Sequence, residues 1–152
     1  MTTIRRMEAK DIEPMIALGE KMWSEGAYSY LNYSADKCRK LGTYAIANPN
    51  KITGWVAEQD NEIIGMIMVS INKFFFSDEL ICNDLFLFVD PTKRKSLMVP
   101  IKLITKATQW AKEMGAKEFN PGSSVALASD KVEKLYRFMK FETVGHLFKK
   151  RL

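Results

Sequence analysis

The stretch VDPTKRKSLMVPIKLITKATQWAKEMGAKEF, Val89 to Phe119, changes character twice and decides the fold. Upstream of it, Leu80 to Val89 is rich in Ile, Leu, Val and Phe and reads as a strand. Pro91 stops that strand, and a basic turn follows at Lys93-Arg94-Lys95-Ser96. Pro100 then suits the N1 position of a helix, with Ile101, Leu103, Ile104, Ala107, Trp110, Ala111 and Met114 forming one apolar stripe and Gly115 closing the end. Lys117 to Ser123 reads as the next strand. A strand returning through a helix to another strand of the same sheet makes a parallel pair. The loop between Val89 and Pro100 therefore joins the carboxyl end of a strand to the amino end of a helix, where open sheets bind phosphate.

Working outward, Thr3 to Met7 forms a short opening strand. Asp11 stands at an N-cap position before Ile12, Met15, Ile16, Met22 and Trp23 at helical spacing. Ser24 to Tyr33 has no sustained period, and Ser34 caps a second helix carrying Cys38, Leu41, Ala45 and Ile46, which Asn48-Pro49-Asn50 ends. Ile52 to Glu58, Glu62 to Phe76 and Leu80 to Val89 are three antiparallel strands separated by turns at Asp60-Asn61 and Ser77-Asp78. Met66 to Ile71 and Leu85 to Val89 are apolar almost without interruption, so helices must cover both faces of the sheet. Ser129 or Asp130 caps a helix turning Val132, Leu135, Tyr136 and Met139 inward, and Phe141 to Lys150 reads as a last strand. The expectation is one domain over residues 1–152, of α/β (α+β) class, with a mixed, mostly antiparallel central sheet between helices.

Composition narrows the chemistry. The chain has 152 residues, 47% hydrophobic and 27% charged, enough for a sizeable core. Twenty-three Lys and Arg against 18 Asp and Glu leave +5, which suits an anionic ligand without demanding nucleic acid. Cys38 and Cys82 are the only cysteines and His146 the only histidine, so a disulfide framework, a multi-histidine metal site and a Cys-rich zinc site are excluded. The amino terminus has no apolar signal segment, and no apolar run approaches the roughly 20 residues that span a bilayer. A cytoplasmic protein without a metal is expected.

The element order and the Val89–Phe119 segment resemble the GNAT superfamily of N-acetyltransferases over essentially the whole chain. In that family a strand ending in Val-x-Pro leads into a loop of pattern Arg/Gln-x-x-Gly-x-Gly/Ala, whose amides hold the pyrophosphate of acetyl-CoA. Here Val89 and Pro91 match, Arg94 takes the first motif position, and Leu97 and Val99 occupy the glycine positions, each bringing a Cβ to the expected phosphate surface. The resemblance implies a cofactor site of Phe88, Val89, Arg94, Lys95, Ser96, Leu97, Met98 and Val99. A second family pattern, Asn-x-x-Ala-x-x-x-Tyr-x-x-x-Gly-Phe, falls on Ser129, Val132, Tyr136, Lys140 and Phe141, adding Ser129 to the cofactor contacts and placing Lys140 where a turn favours glycine. The phrase FFFSDEL and the Lys-rich end are similar to small phage and prophage members.

The resemblance makes the Tyr136 phenol the acid that protonates the departing CoA thiolate, and an ordinary phenol pKa near 10 permits this. The same residue also reads as a core aromatic beside Leu135 and Met139. Asp84 interrupts an apolar strand, by alternation on the face of Phe86 and Phe88, and is the leading base for an ammonium acceptor, with Glu79 second. It reads equally as an ordinary carboxylate at a ragged strand start. The resemblance implies that the connection carrying Tyr28, Tyr30 and Tyr33 borders the acceptor site, though these residues read equally as packing lids; His146 is a strand residue, and Lys149-Lys150-Arg151 is a solvated basic tail able to meet an acidic partner or the cofactor's 3'-phosphate. After the last helix there is room for one strand and hardly a second, so pairing between two copies is one way to cover the sheet edge. Three functions follow, in this order: acetyl transfer from acetyl-CoA to a primary amine, a non-catalytic binding module with an altered cofactor loop, and nucleic-acid binding through the basic loop and tail.

Overall fold

The computed structural model describes residues 1–122 and 129–152, the side chain of Ser129 excepted. Ser123, expected at the end of the fifth strand, lies outside the described residues. The elements run β1 (Thr3–Arg6), a 3-10 turn (Ala9–Asp11), α1 (Ile12–Glu25), α2 (Ala35–Ala47), β2 (Ile52–Gln59), β3 (Glu62–Lys73), β4 (Leu80–Val89), a 3-10 turn (Pro91–Lys93), α3 (Met98–Glu113), β5 (Phe119–Asn120) and α4 (Ser129–Phe138). The sheet has the order β1-β2-β3-β4-β5, antiparallel throughout except for the parallel pair of β4 and β5. Asp60 and Asn61 both hold positive φ, the backbone a two-residue hairpin requires, and so fix the β2–β3 register.

Each sheet face buries its own cluster. Val56, Met66, Met68 and Phe88 meet Met15 and Leu18 of α1 and Ala45 of α2. On the opposite face Ala57, Ile67, Val69, Cys82 and Val89 meet Leu103, Ile104, Ala107 and Trp110 of α3 and Leu135 of α4. The apolar stripe of α3 is buried and β3 reaches the expected two-sided burial over Met66 to Val69, whereas in β4 only Phe88 and Val89 of the Leu85–Val89 run are buried and Leu85 is 41% exposed. Each fully buried aliphatic side chain stabilises by about 1.5–3 kcal/mol.

The last turns of α3 and α4 close in the same way. In α3 the amide of Gly115 bonds Lys112 O and that of Ala116 bonds Ala111 O; in α4 the amide of Lys140 bonds Arg137 O and that of Phe141 bonds Tyr136 O. Both are Schellman closures, with Gly115 at φ +81 and Lys140 at φ +66 in the left-handed position. The Phe141 ring packs edge-on to Tyr136 at 5.4 Å, the apolar contact that accompanies such a closure.

Several local expectations change. Ser34 caps α2 by accepting from the Lys37 amide, but Asp11 caps nothing in α1: its carboxylate takes both Nη atoms of Arg5, at 2.7 and 2.9 Å, and the Glu8 amide. The third helix begins two residues before Pro100, which occupies N3, where a missing amide is equally harmless. The fifth strand shrinks to Phe119–Asn120. Residues 141–150 form no strand, because β5 offers a stub too short to pair with them. No helix among the described residues is long and apolar enough to cross a membrane.

Candidate active site

The backbone of β4 is interrupted at one point. Met68 pairs with Phe86 and Val69 with Asp84, so Leu85 is the extra residue of a β-bulge. The bulge resets the alternation of side chains. Phe86 and Phe88 turn to the α1–α2 face, whereas Asp84, opposite Val69, turns to the face covered by α3 and α4. The expected common face for Asp84, Phe86 and Phe88 is therefore corrected: strict alternation fails across an inserted residue.

Beyond the bulge, β4 and β5 part company. Their pairing consists of Cys82 with Phe119 and Asn83 with Asn120, while β4 continues to Val89. The backbone of β4 from Leu85 onward consequently has β3 on one side and no strand on the other among the described residues. An extended ligand bearing amide groups can add to such an edge by main-chain hydrogen bonds.

Asp84 and Tyr136 meet at Gly122. The Gly122 amide donates to Asp84 Oδ1 at 3.1 Å, and the Tyr136 hydroxyl donates to Gly122 O at 3.4 Å. Both side chains are half-buried. Burial pushes the Asp84 carboxyl up to about 6, against the opposing Gly122 hydrogen bond. Burial, and then the nearby Asp84 charge, push the Tyr136 phenol above its ordinary value, so it keeps its proton at neutral pH. The pair combines a carboxylate that titrates near neutrality with a phenol that stays protonated.

At the far end of the open edge lies the basic loop. The amides of Ser96, Leu97 and Val99 have no hydrogen-bond acceptor among the described residues, and that of Met98 is bonded by Ser96 Oγ at 3.3 Å. Lys93 and Lys95 are exposed and form no ion pair with a described residue. Free amides at a helix start, flanked by cations, fit a phosphate-bearing ligand. Arg94 has a different place. Its Nε donates to Val89 O at 2.7 Å, its Nη2 to Glu25 Oε2 at 3.1 Å, and its guanidinium covers the Phe88 ring at 5.0 Å, so it braces the loop against α1.

The two expected glycine positions also differ. Leu97 is 56% exposed and does present its side chain outward. Val99 is corrected: only 9% exposed, it points into the core, where its Cγ1 lies 3.3 Å from the place a Cβ on Gly65 would occupy. Gly65 of β3 thus makes the room that lets the start of α3 settle on the sheet. Phe88 is 2% exposed with its ring in the α1–α2 cluster, so only its backbone can face a ligand. Met98 is exposed, Val89 is buried, and the Ser129 side chain lies outside the described residues.

Among the remaining candidates, Tyr33 is packed, its hydroxyl donating to Ile16 O at 2.8 Å, while Tyr28 and Tyr30 stay exposed. Glu79 pairs with Lys117 at the surface, and His146 stacks loosely on Phe148 in the tail, far along the chain from any partner base. A hollow of about 640 Å³ by β1 and the start of α1 is lined by Arg5, Asp11, Lys21, Glu58 and Asp90, whose charges already satisfy one another. Sequence reading missed the bulge at Leu85 and the linking Gly122. The only advance signal was a lone carboxylate inside an apolar strand.

No protein-family model and no curated protein sequence matches the chain. Solved structures do. The aminoglycoside N-acetyltransferase AAC(6')-Iy, in complex with the bisubstrate analogue CoA-S-monomethyl-acetylneamine, superposes with a TM-score of 0.79 at 19% identity, covering 100% of this chain and 98% of that one. A predicted acetyltransferase with acetyl-CoA from Clostridium acetobutylicum gives 0.77 at 16% identity, over 99% and 96% of the two chains. Glucosamine-6-phosphate N-acetyltransferase from Arabidopsis thaliana gives 0.75 at 16% identity, over 99% and 98%. At these identities the likeness establishes a shared fold, the mixed α/β sheet of the GNAT acetyltransferases.

Proposed function

We propose that the protein is an acyltransferase that moves an acetyl group from acetyl-CoA to a primary amine by direct attack. The observation that carries this reading is the convergence of Asp84 and Tyr136 on Gly122, beside the open edge of β4. The fold it shares with CoA-bound N-acetyltransferases supports the same reading. When bound, the thioester supplies an acyl carbon activated toward a nitrogen nucleophile. The loop amides of Ser96, Leu97 and Val99 with Lys93 and Lys95 take the pyrophosphate, and the open edge of β4 takes the amide-bearing arm. Arg94 holds the loop in shape.

In this scheme the acceptor arrives as an ammonium ion and gives a proton to Asp84, directly or through water. The amine nitrogen then bonds to the acyl carbon while the carbon–sulfur bond breaks. Nitrogen sheds its second proton, and Tyr136 delivers one to sulfur, so that one proton is released per turnover. The phenol is recharged from solvent. A carboxylate titrating near 6 is available as a base at neutral pH, and a phenol above its ordinary pKa is available as an acid.

A second reading, a binding module without catalysis, is favoured by the exposed Leu97 at the surface where the amides emerge and by the engagement of Arg94 within the fold. Titration with acetyl-CoA separates the two. Saturable micromolar binding with release of free thiol on adding an amine supports the enzyme; no binding at millimolar acetyl-CoA leaves the module.

A further inference from the structure

The carboxyl-terminal segment reaches across the molecule. It leaves the Tyr136 side of the sheet at Phe141, which also packs on Phe119 of β5 at 5.9 Å, and its end lies on the connection between α1 and α2. There the Lys149 ammonium sits 4.8 Å from the ring centroid of Tyr28 and 5.1 Å from that of Tyr30, and it donates to Ala27 O. The Arg151 guanidinium lies over the Tyr30 ring at 4.2 Å from its centroid. Two aromatic faces and a carbonyl oxygen form a site for an organic ammonium group, with each cation–π contact worth about 0.5–1 kcal/mol at such exposure.

The occupant is weakly held. Val144, Leu147 and Phe148 remain 87%, 84% and 88% exposed, so the tail gains almost no apolar burial from lying where it does. Lys149 and Arg151 are what tie its end to the body, and a tethered group of this kind acts at an effective concentration of the order of millimolar. The host site adjoins the basic loop, because Glu25, two residues before Ala27, pairs with Arg94.

We infer that Tyr28, Tyr30 and the Ala27 carbonyl form an alkylammonium-binding site, filled in the resting protein by the chain's own Lys149 and opened when a polycationic amine displaces the tail. The site stands independently of catalysis. Its assignment as a subsite for the acceptor rests on the transfer reaction proposed above, and it narrows the acceptor to amines carrying at least two cationic centres, one seated here and another free to react.

The test is titration of the full chain with 1,5-diaminopentane at constant ionic strength, without acetyl-CoA, following the ring protons of Tyr28 and Tyr30 by NMR. 1,5-Pentanediol serves as the uncharged counterpart. A saturable shift at millimolar diamine is expected, absent with the diol. The double variant Lys149→Gln/Arg151→Gln should lower the half-saturation concentration about three- to tenfold, since an internal competitor has been removed. Lys149→Arg with Arg151 intact should leave it near the starting value, and Tyr30→Leu should abolish the saturable shift at Tyr28. Equal half-saturation in the wild type and the double variant, an equal response to the diol, or no saturable shift in either protein overturns the inference. Because no acetyl transfer is read, a failure of the proposed reaction leaves this result standing, and the reverse holds too.

Discussion

The basic loop and the Asp84–Tyr136 pair are assembled by different means. The loop is local: six consecutive residues, Arg94 to Val99, fold between a strand end and a helix start, and the free amides of Leu97 and Val99 follow from helix geometry alone. The pair is not. Asp84 and Tyr136 are brought together by a one-residue bulge, a strand stub and a helix docked by Leu135, with Gly122 as the shared hydrogen-bond partner. A local site tolerates change in its side chains as long as its backbone survives, whereas a site built from distant elements fails when any one atom is lost.

That contrast is breakable by mutation, beginning with the largest effect. Tyr136→Phe keeps the ring against Phe141 and removes the proton, so turnover should fall about 10²- to 10⁴-fold. Acetyl-CoA affinity should hold, and denaturant unfolding should change by no more than about 1 kcal/mol. Asp84→Asn should lower turnover about 10²-fold and erase the acidic limb expected near pH 6 in the wild-type rate profile. The stability linkage carries a sign as well. Because the folded carboxyl titrates above its unfolded value of 3.8, its contribution is fully present below about pH 4 and lost as pH rises through about 6, so unfolding curves of the wild type, but not of Asp84→Asn, should weaken across that window.

On the loop side the two glycine-equivalent positions should part. Val99→Gly opens a cavity against Gly65 in the first turn of a helix and should cost roughly 2–4 kcal/mol in denaturant unfolding. Leu97→Gly, at an exposed site, should cost under about 1 kcal/mol and tighten acetyl-CoA binding in a calorimetric titration, since backbone can then approach phosphate more closely. In the stabilising direction, Lys140→Gly relieves a left-handed residue at the end of α4. It should raise stability by about 1 kcal/mol and leave turnover unchanged, separating strain in the helix that carries Tyr136 from the chemistry Tyr136 performs.

The elements were legible in the sequence wherever a period or a turn residue was local. The apolar stripe of α3, the hairpin at Asp60-Asn61, the Ser34 cap and the left-handed demand at Lys140 all depend on neighbours within a few positions. The inward place of Tyr136 was legible from the inner stripe of α4. What escaped was non-local. The phase of β4 after Asp84 depends on a residue inserted relative to β3, and alternation read along one strand carries no information about its partner's count. The inward turn of Val99 depends on Gly65, thirty-four positions away, and the fate of 141–150 on the length of β5. Arg94 looked free for a phosphate because sequence shows its charge but not the carbonyl and the carboxylate that claim it.

Cys82 gives the sheet a built-in chemical reporter. It is fully buried on β4 under α3 and α4, and burial pushes its thiol up to about 12, so it carries almost no thiolate and meets no reagent while that cluster is closed. Alkylation of Cys82 therefore counts excursions that open the cluster between the sheet and α3 and α4, the face on which Asp84 and Tyr136 also lie. Cys38, half-buried on α2, stands on the other side of the sheet as an internal reference. The ratio of the two labelling rates, taken with and without acetyl-CoA, measures in free-energy terms how firmly an occupant of the β4 edge closes the sheet beneath it.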